Sequence, residues 1–332
     1  MKQLEKYLHA FKKLRRAATN GGAPHKPVLL LAVLEGVARG EIVSNRIEIT
    51  PELILCFKEY WSKLVVTQHK MNFALPFYHM RTEPFWKLVC KPGYEIALTS
   101  SNSIKSLSAL NDALLWAELD EDLFLLMNDA VTNALLKQHL LDLYFPNAYH
   151  VAVDYTSLHN IEKEILNEEQ GSYQQHISSL LKTLSKEEAE EELFVRGSLF
   201  KREVPKQYNY TCAISRMQVV SVSNVQMVDA CHIVPFSISN DDTIRNGISL
   251  SPTLHRAFDR GLISISEDYK VMVSPLVRDD RSAAALTYYD GHSILTPTHT
   301  AYLPSQENLA WHRGEVFLEG GIIQNSSKIA RP

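Results

Sequence analysis

Along its first half the chain alternates between stretches of helical periodicity and loops rich in helix breakers. Leu4, Tyr7, Leu8, Phe11 and Leu14 recur at helical spacing, which predicts an amphipathic helix over 2–18 with Lys12, Lys13, Arg15 and Arg16 towards its end. The segment TNGGAPHKP (Thr19 to Pro27) reads as a loop. Pro27 suits the first turn of a second, largely apolar helix that stops near Gly40. Arg46 to Ile49 predicts a short strand, and Thr50-Pro51-Glu52 opens a helix continued by Leu53, Ile54, Phe57, Tyr60, Trp61 and Leu64. Residues 69–98 are rich in aromatics and prolines and predict irregular structure with short strands. Helices follow over 104–118, 120–127 and 129–144, ending before Pro146.

Residues 155–195 are polar and end in an acidic run, which reads as connecting helices. Beyond Val195 the strand candidates are Met217–Val222, Gln226–Val228, Ile263–Ile265 and Lys270–Val273, around a helix over Ser251–Asp259. The pattern as a whole predicts an α+β chain. A mostly helical domain with short strands spans 1–150, a helical linker spans 151–195, and a second domain spans 196–332. A length of 332 residues suits two such domains.

Composition adds three constraints. No apolar run is long enough to cross a bilayer, and the N-terminus lacks a signal-peptide core, so a cytoplasmic protein with no membrane partner is expected. The formal net charge of −4 hides an asymmetry: residues 1–92 carry 15 Lys/Arg against 7 Asp/Glu. That basic third fits a polyanion as partner, and it fits a solvated face equally well. The four cysteines (Cys56, Cys90, Cys212, Cys231) form no CxxC pair. They read as buried thiols. Cys212 to Ser215 holds only one of the two cysteines of a zinc knuckle, so structural zinc is not expected.

The chemistry concentrates in DACHIVPFSISNDDTIRNGISLSPTLHRAFDRG, from Asp229 to Gly261. It places His232, Asn246 and His255 in order within one strand–loop–helix unit. Ser251 is a good N-cap and Pro252 a good first helical residue, which sets His255 one turn into the helix, facing back towards the strand. Either histidine alone would more often be structural. The ordered set supplies what phosphodiester hydrolysis needs: a base for water, a residue that holds the base, and a metal ligand.

This stretch resembles the HNH, or ββα-metal, endonucleases over about 200–275, and the tail TPTHTAYLPSQENLAWHRGEVF resembles the end of one HNH subfamily. The resemblance implies that His232 is the general base and that Asn246 holds the loop and orients it. It implies His255 as a metal ligand, Asp229 as the second, and Mg²⁺ or Mn²⁺ as the ion. Where many relatives carry Asp or His before the base, this chain has Cys231, which reads as a buried structural thiol. Asp259, four residues after His255 on the same helix face, is the alternative carboxylate; its other reading is a cap or a salt bridge to Arg256 or Arg260.

A second resemblance covers about 1–150 in layout. Gly22 to Leu31 (GAPHKPVLLL) and Leu75 to Arg81 (LPFYHMR) are similar to the sulfur-binding domain of restriction endonucleases that recognise phosphorothioated DNA. It implies that Pro24, Pro76, Phe77 and Tyr78 wall a sulfur pocket while His25, Lys26, His79 and Arg81 grip phosphates or base edges. An ordinary phosphate oxygen in such a pocket would lose water without gaining a hydrogen bond, at about 1–3 kcal/mol. The two resemblances together imply a bacterial type IV, modification-dependent restriction endonuclease acting on double-stranded DNA. Cutting both strands calls for two nuclease centres and hence a homodimer. The alternatives are a reader of modified bases or DNA shape, and a non-catalytic DNA-binding protein with a degenerate HNH fold.

Overall fold

A computed structural model describes residues 2–95, 104–147, 152–154, 156–219, 226–279 and 285–318. The chain divides into two compact units. The first takes residues 1–162 and 181–198; the second takes 163–180 and 199–332. The stretch 151–195, expected as a linker, is thus shared between the two units. None of the described helices is long and apolar enough to cross a membrane.

The first unit begins with α1 (Lys2–Lys12), which is shorter than the periodicity suggested. Helix α2 (His25–Ala38) starts two residues before Pro27, with Pro24 at its N-cap. It is buried on nearly every side, as its unbroken apolar run requires. Strand β1 (Arg46–Ile47) and α3 (Pro51–Leu64) follow, and Thr50 caps α3 by accepting the Leu53 amide at 3.2 Å. The short helix α4 (Ala74–His79) occupies a segment expected to be irregular, and β2 (Trp86–Cys90) follows it.

Residues 104–118 do not form the single helix expected. Helix α5 (Leu107–Ala113) gives way at once to β3 (Leu114–Leu119). Leu, Ala and Glu favour helix, but β3 is the central strand of an antiparallel β1–β3–β2 sheet. Pairing on both edges overrides local propensity here. Helices α6 (Glu121–Asn128) and α7 (Ala130–Tyr144) match expectation to within a residue. Further on come α8 (Thr156–Asn167), α9 (Gln170–Thr183) and α10 (Lys186–Gln207).

In the second unit β4 (Asp229–His232) pairs antiparallel with β5 (Gly247–Leu250), with α11 (Phe236–Ser239) in the connection. Helix α12 (Pro252–Asp259) follows, then the hairpin β6 (Ile263–Ile265) and β7 (Val271–Val273), and finally α13 (Gln306–Glu315). The expected strand Gln226–Val228 shows only a bridge residue at Gln226, with β4 beginning at Asp229; Gln218 makes only an isolated bridge to Thr211. Part of the expected strand Met217–Val222 lies outside the described residues. Cys212 is buried, and its sulfur accepts the Ser251 amide at 3.3 Å and the Ser215 amide at 3.5 Å. It thereby ties the turn before β4 to the start of α12.

His312 locks α13 in place. Its ring stacks on Phe258 at 3.6 Å, while Nδ1 meets Ser264 Oγ at 2.9 Å and Nε2 meets the Phe258 carbonyl at 3.0 Å. Burial lowers its pKa from 6.5 to about 4. A histidine held neutral in the fold lends stability above its unfolded value, and that stability drains as pH falls from about 6.5 towards 4. Thermal melts across this range should show the second unit weakening, and His312→Gln should flatten that part of the profile.

Candidate active site

Strand pairing positions the first group of residues. His232 lies directly opposite Gly247 on β5. A Cβ at Gly247 would come within 2.5 Å of Val204 and 3.0 Å of Phe200, so only glycine lets α10 close on this strand. Phe200 fills the space and stacks on the His232 ring at 3.9 Å, 7° from parallel. On the other side His232 Nε2 lies 2.9 Å from Asp242 Oδ1. With Nε2–H given to Asp242, the neutral ring carries its lone pair on Nδ1. The ring is fixed in plane and in tautomer, with about a quarter of the side chain exposed.

Asn246 is fully buried, and both ends of its amide bond the surrounding backbone. Its Oδ1 accepts the Val234 amide at 2.9 Å, and its Nδ2 donates to the Val234 and Asp241 carbonyls, both at 2.9 Å. Val234 lies two residues after His232, and Asp241 lies just before Asp242. One side chain therefore clamps the two backbone segments that carry the His232–Asp242 pair. Asn308 on α13 donates to Asn246 Oδ1 at 3.0 Å, and Gln170 donates to Asn308 at 2.7 Å. Asp241 is itself buried, and burial pushes its carboxyl up.

A second group gathers at the start of β4 and on α12. His255 Nδ1 lies 3.3 Å from Asp229, and Nε2 lies 3.4 Å from Asp259 one turn along the helix. Cys231, His255 and Asp259 offer donor atoms all within 4.8 Å of one another. Alternation along β4 sends Asp229 and Cys231 to one face and His232 to the other, about 10 Å along the strand from Asp229 at ~3.3 Å per residue. No hydrogen bond or ring contact joins His232 to His255 among the described residues. The strand itself couples the two groups.

The donor set bears on a metal ion. Two carboxylates and an imidazole suit a hard divalent cation such as Mg²⁺ or Mn²⁺. Cys231 fits that role poorly: it is fully buried, and a soft sulfur ligand does not suit a hard cation.

In the first unit the expected DNA-contacting residues fall at two neighbouring places. Pro24, His25 and Lys26 open α2, while Pro76 to His79 close α4 and Arg81 follows. Lys26 links them, donating to Thr82 Oγ1 at 2.8 Å and pairing with Glu83. That corrects the expectation for Lys26. It is only 6% exposed and spends its charge on a buried carboxylate, not on an outside anion. Phe77 and Tyr78 are likewise fully buried, and Phe77 packs edge-on against Trp86. These rings belong to the core and not to an open pocket wall; Pro76 is buried with them. His25 Nε2 meets the Lys70 carbonyl at 2.9 Å, its ring lies 4.5 Å from that of Trp61, and burial lowers its pKa. Arg81 lies over the Tyr78 ring at 4.3 Å, and burial followed by the charges of Lys26 and Arg81 lowers the pKa of His79.

Residues 212–266 match the HNH endonuclease family. The second unit carries an HNH endonuclease domain. No curated protein matches the chain. Among solved structures, a modification-dependent TagI restriction endonuclease is 22% identical over 38% of this chain and 41% of its own, with a TM-score of 0.28. The chain thus spans about two fifths of that protein. The sulfur-binding domain of ScoMcrA, complexed with phosphorothioated DNA, is 22% identical over 46% of this chain and 96% of its own, with a TM-score of 0.36. The phosphorothioation-dependent type IV restriction endonuclease ScoMcrA is 11% identical over 76% of this chain and 94% of its own, with a TM-score of 0.33.

Three residues of the HNH domain's site escaped the sequence reading. Asp242 was visible only as one of two adjacent aspartates in a turn. Phe200 lies 32 positions before His232, and nothing local announces their stacking. Asn308 sits in the tail that resembles the end of one HNH subfamily, but its bond to Asn246 is a tertiary fact.

Proposed function

We propose that the chain is a divalent-metal-dependent DNA endonuclease directed to phosphorothioated DNA. One observation carries the nuclease half: a stacked, carboxylate-held imidazole closes the short strand β4, and the first residue of that strand, Asp229, meets a histidine of α12 that Asp259 also flanks. His232 Nδ1 takes the proton of the attacking water, and Asp242 steadies the imidazolium that results. His255 Nε2 and Asp259 hold the ion. Asp229, bonded to the far nitrogen of His255, fixes that ring, as carboxylates behind metal-binding histidines commonly do. This assignment exchanges the roles first expected of Asp229 and Asp259. The ion, when bound, stabilises charge on the scissile phosphate and on the leaving oxygen.

The reader half rests on the two segments similar to sulfur-binding domains, on the basic balance of residues 1–92, and on His25 beside the N-terminus of α2. Pro24 is the apolar group suited to sulfur, with His79 and Arg81 serving phosphates. The partner is double-stranded DNA, and a second copy of the chain supplies the centre for the other strand.

Two measurements test the reading. A phosphorothioated duplex and its unmodified twin, titrated at one stated salt concentration, should differ clearly in affinity; equal binding removes the sulfur claim. Cleavage of the modified duplex should require Mg²⁺ or Mn²⁺ and stop with EDTA. Failure to cut any modified substrate, with the fold intact, would leave a binding protein.

A further inference from the structure

A cavity of about 280 Å³ opens in the first unit between the loop before α2, the end of α3 and the end of α7. It is slightly smaller than the roughly 300–1,000 Å³ pockets that take drug-sized ligands. Its lining includes Pro24, Val65 and Val66 on the apolar side and Arg16, Asn20 and Asn147 on the polar side, with Lys63 and Thr67. Pro24 leads directly into His25, so the cavity adjoins the residues proposed to meet DNA.

Two features suggest an occupant. Arg16 is set in advance: its guanidinium lies over the Tyr144 ring at 4.4 Å, and Nη1 bonds the Gly22 and Ala23 carbonyls at 3.3 and 3.5 Å. Nε and Nη2 make no bond among the described residues. Gly22 is needed for this placement, since its φ is +101° and a Cβ there would stand 3.0 Å from the guanidinium. A fixed guanidinium with uncommitted donors suits a phosphate oxygen. The second feature is Val66, an apolar side chain 96% exposed at the rim of a chamber whose walls are apolar and polar in nearly equal part. A phosphate alone has no use for apolar walls. A nucleobase does, and an exposed apolar side chain beside such a chamber is placed to fill the gap a departing base leaves in the stack.

We propose that this cavity receives one nucleotide extruded from bound duplex DNA, with Arg16 on its phosphate, Asn20 and Asn147 on base edges, and Val66 as the wedge. The inference rests on the reading that the first unit binds DNA.

The test uses the full chain and phosphorothioated duplexes carrying 2-aminopurine at each position in turn, since its emission rises when it leaves the stack. Wild type should raise emission several-fold at one position. Val66→Ser removes the wedge and Val65→Trp fills the chamber; each, checked for folding by circular dichroism, should lose most of that rise. Saturable binding with no position responding overturns the cavity proposal and leaves the DNA reading standing. Retention of the full rise by both variants does the same. Absence of any binding overturns both.

Discussion

Replacing His232 by alanine should lower the cleavage rate by about 10²–10⁴-fold, the usual worth of a positioned general base, while DNA affinity stays close to wild type. The expectation follows from how the ring is held. Phe200 covers one face, Asp242 takes Nε2, and the remaining nitrogen has no structural duty among the described residues. Alanine leaves a gap beneath Phe200, so a melting curve must accompany the assay. Single-turnover cleavage separates chemistry from product release, and binding is read separately on the same duplex. Asp242→Asn sharpens the test. Asparagine can keep the contact with Nε2 but not the charge that steadies an imidazolium, so its loss should be real and smaller than that of His232→Ala. A His232→Ala variant that cuts at the wild-type rate removes His232 as the base. Equal rates for Asp242→Asn and wild type would make Asp242 a packing residue.

The parts of this chain that the sequence revealed are those where local chemistry and tertiary packing agree. Thr50 and Pro51 announce α3, and Ser251 and Pro252 announce α12, because a cap and a proline act within one turn. Misreadings arose where partners lie far apart in sequence. LLWAEL is helix-prone alone and becomes β3 because strands 67 and 24 positions away at their nearest claim its edges. Strand β5 is missing from the strand candidates, because Gly247 signals a turn until its pairing with His232 is seen. The site divides in the same way. His232, Asn246 and His255 stand in a motif whose order is visible, whereas Phe200, Asp242 and Asn308 support it from positions with no local signature. In the first unit, Pro24 to Lys26 and Pro76 to Arg81 do come to adjacent places. The sequence did not reveal that Lys26 would spend its charge on Glu83, since that carboxylate is 57 residues away.

Asn246→Asp should cost several kcal/mol of stability in the second unit and cleavage with it, although the two side chains have nearly the same shape. The wild-type amide donates to two carbonyls and accepts an amide proton in a site closed to water. Aspartate puts an oxygen where Nδ2 was, so the Val234 and Asp241 carbonyls face an acceptor in place of a donor. Each buried group left without its hydrogen bond costs about 1–3 kcal/mol, and a buried unpaired carboxylate costs more. No cavity forms, so packing loss cannot account for the result. Thermal melts should place Asn246→Asp well below wild type. Asn246→Ala, which leaves the same backbone groups without partners, should fall in the same direction. Cleavage should then be measured at a temperature where the variant is still folded. If Asn246 acts by holding His232 and Asp242 in register, the rate at that temperature remains depressed while DNA affinity does not. A variant that melts early but cuts at the wild-type rate when folded would separate the clamp from the chemistry and make Asn246 a purely structural residue.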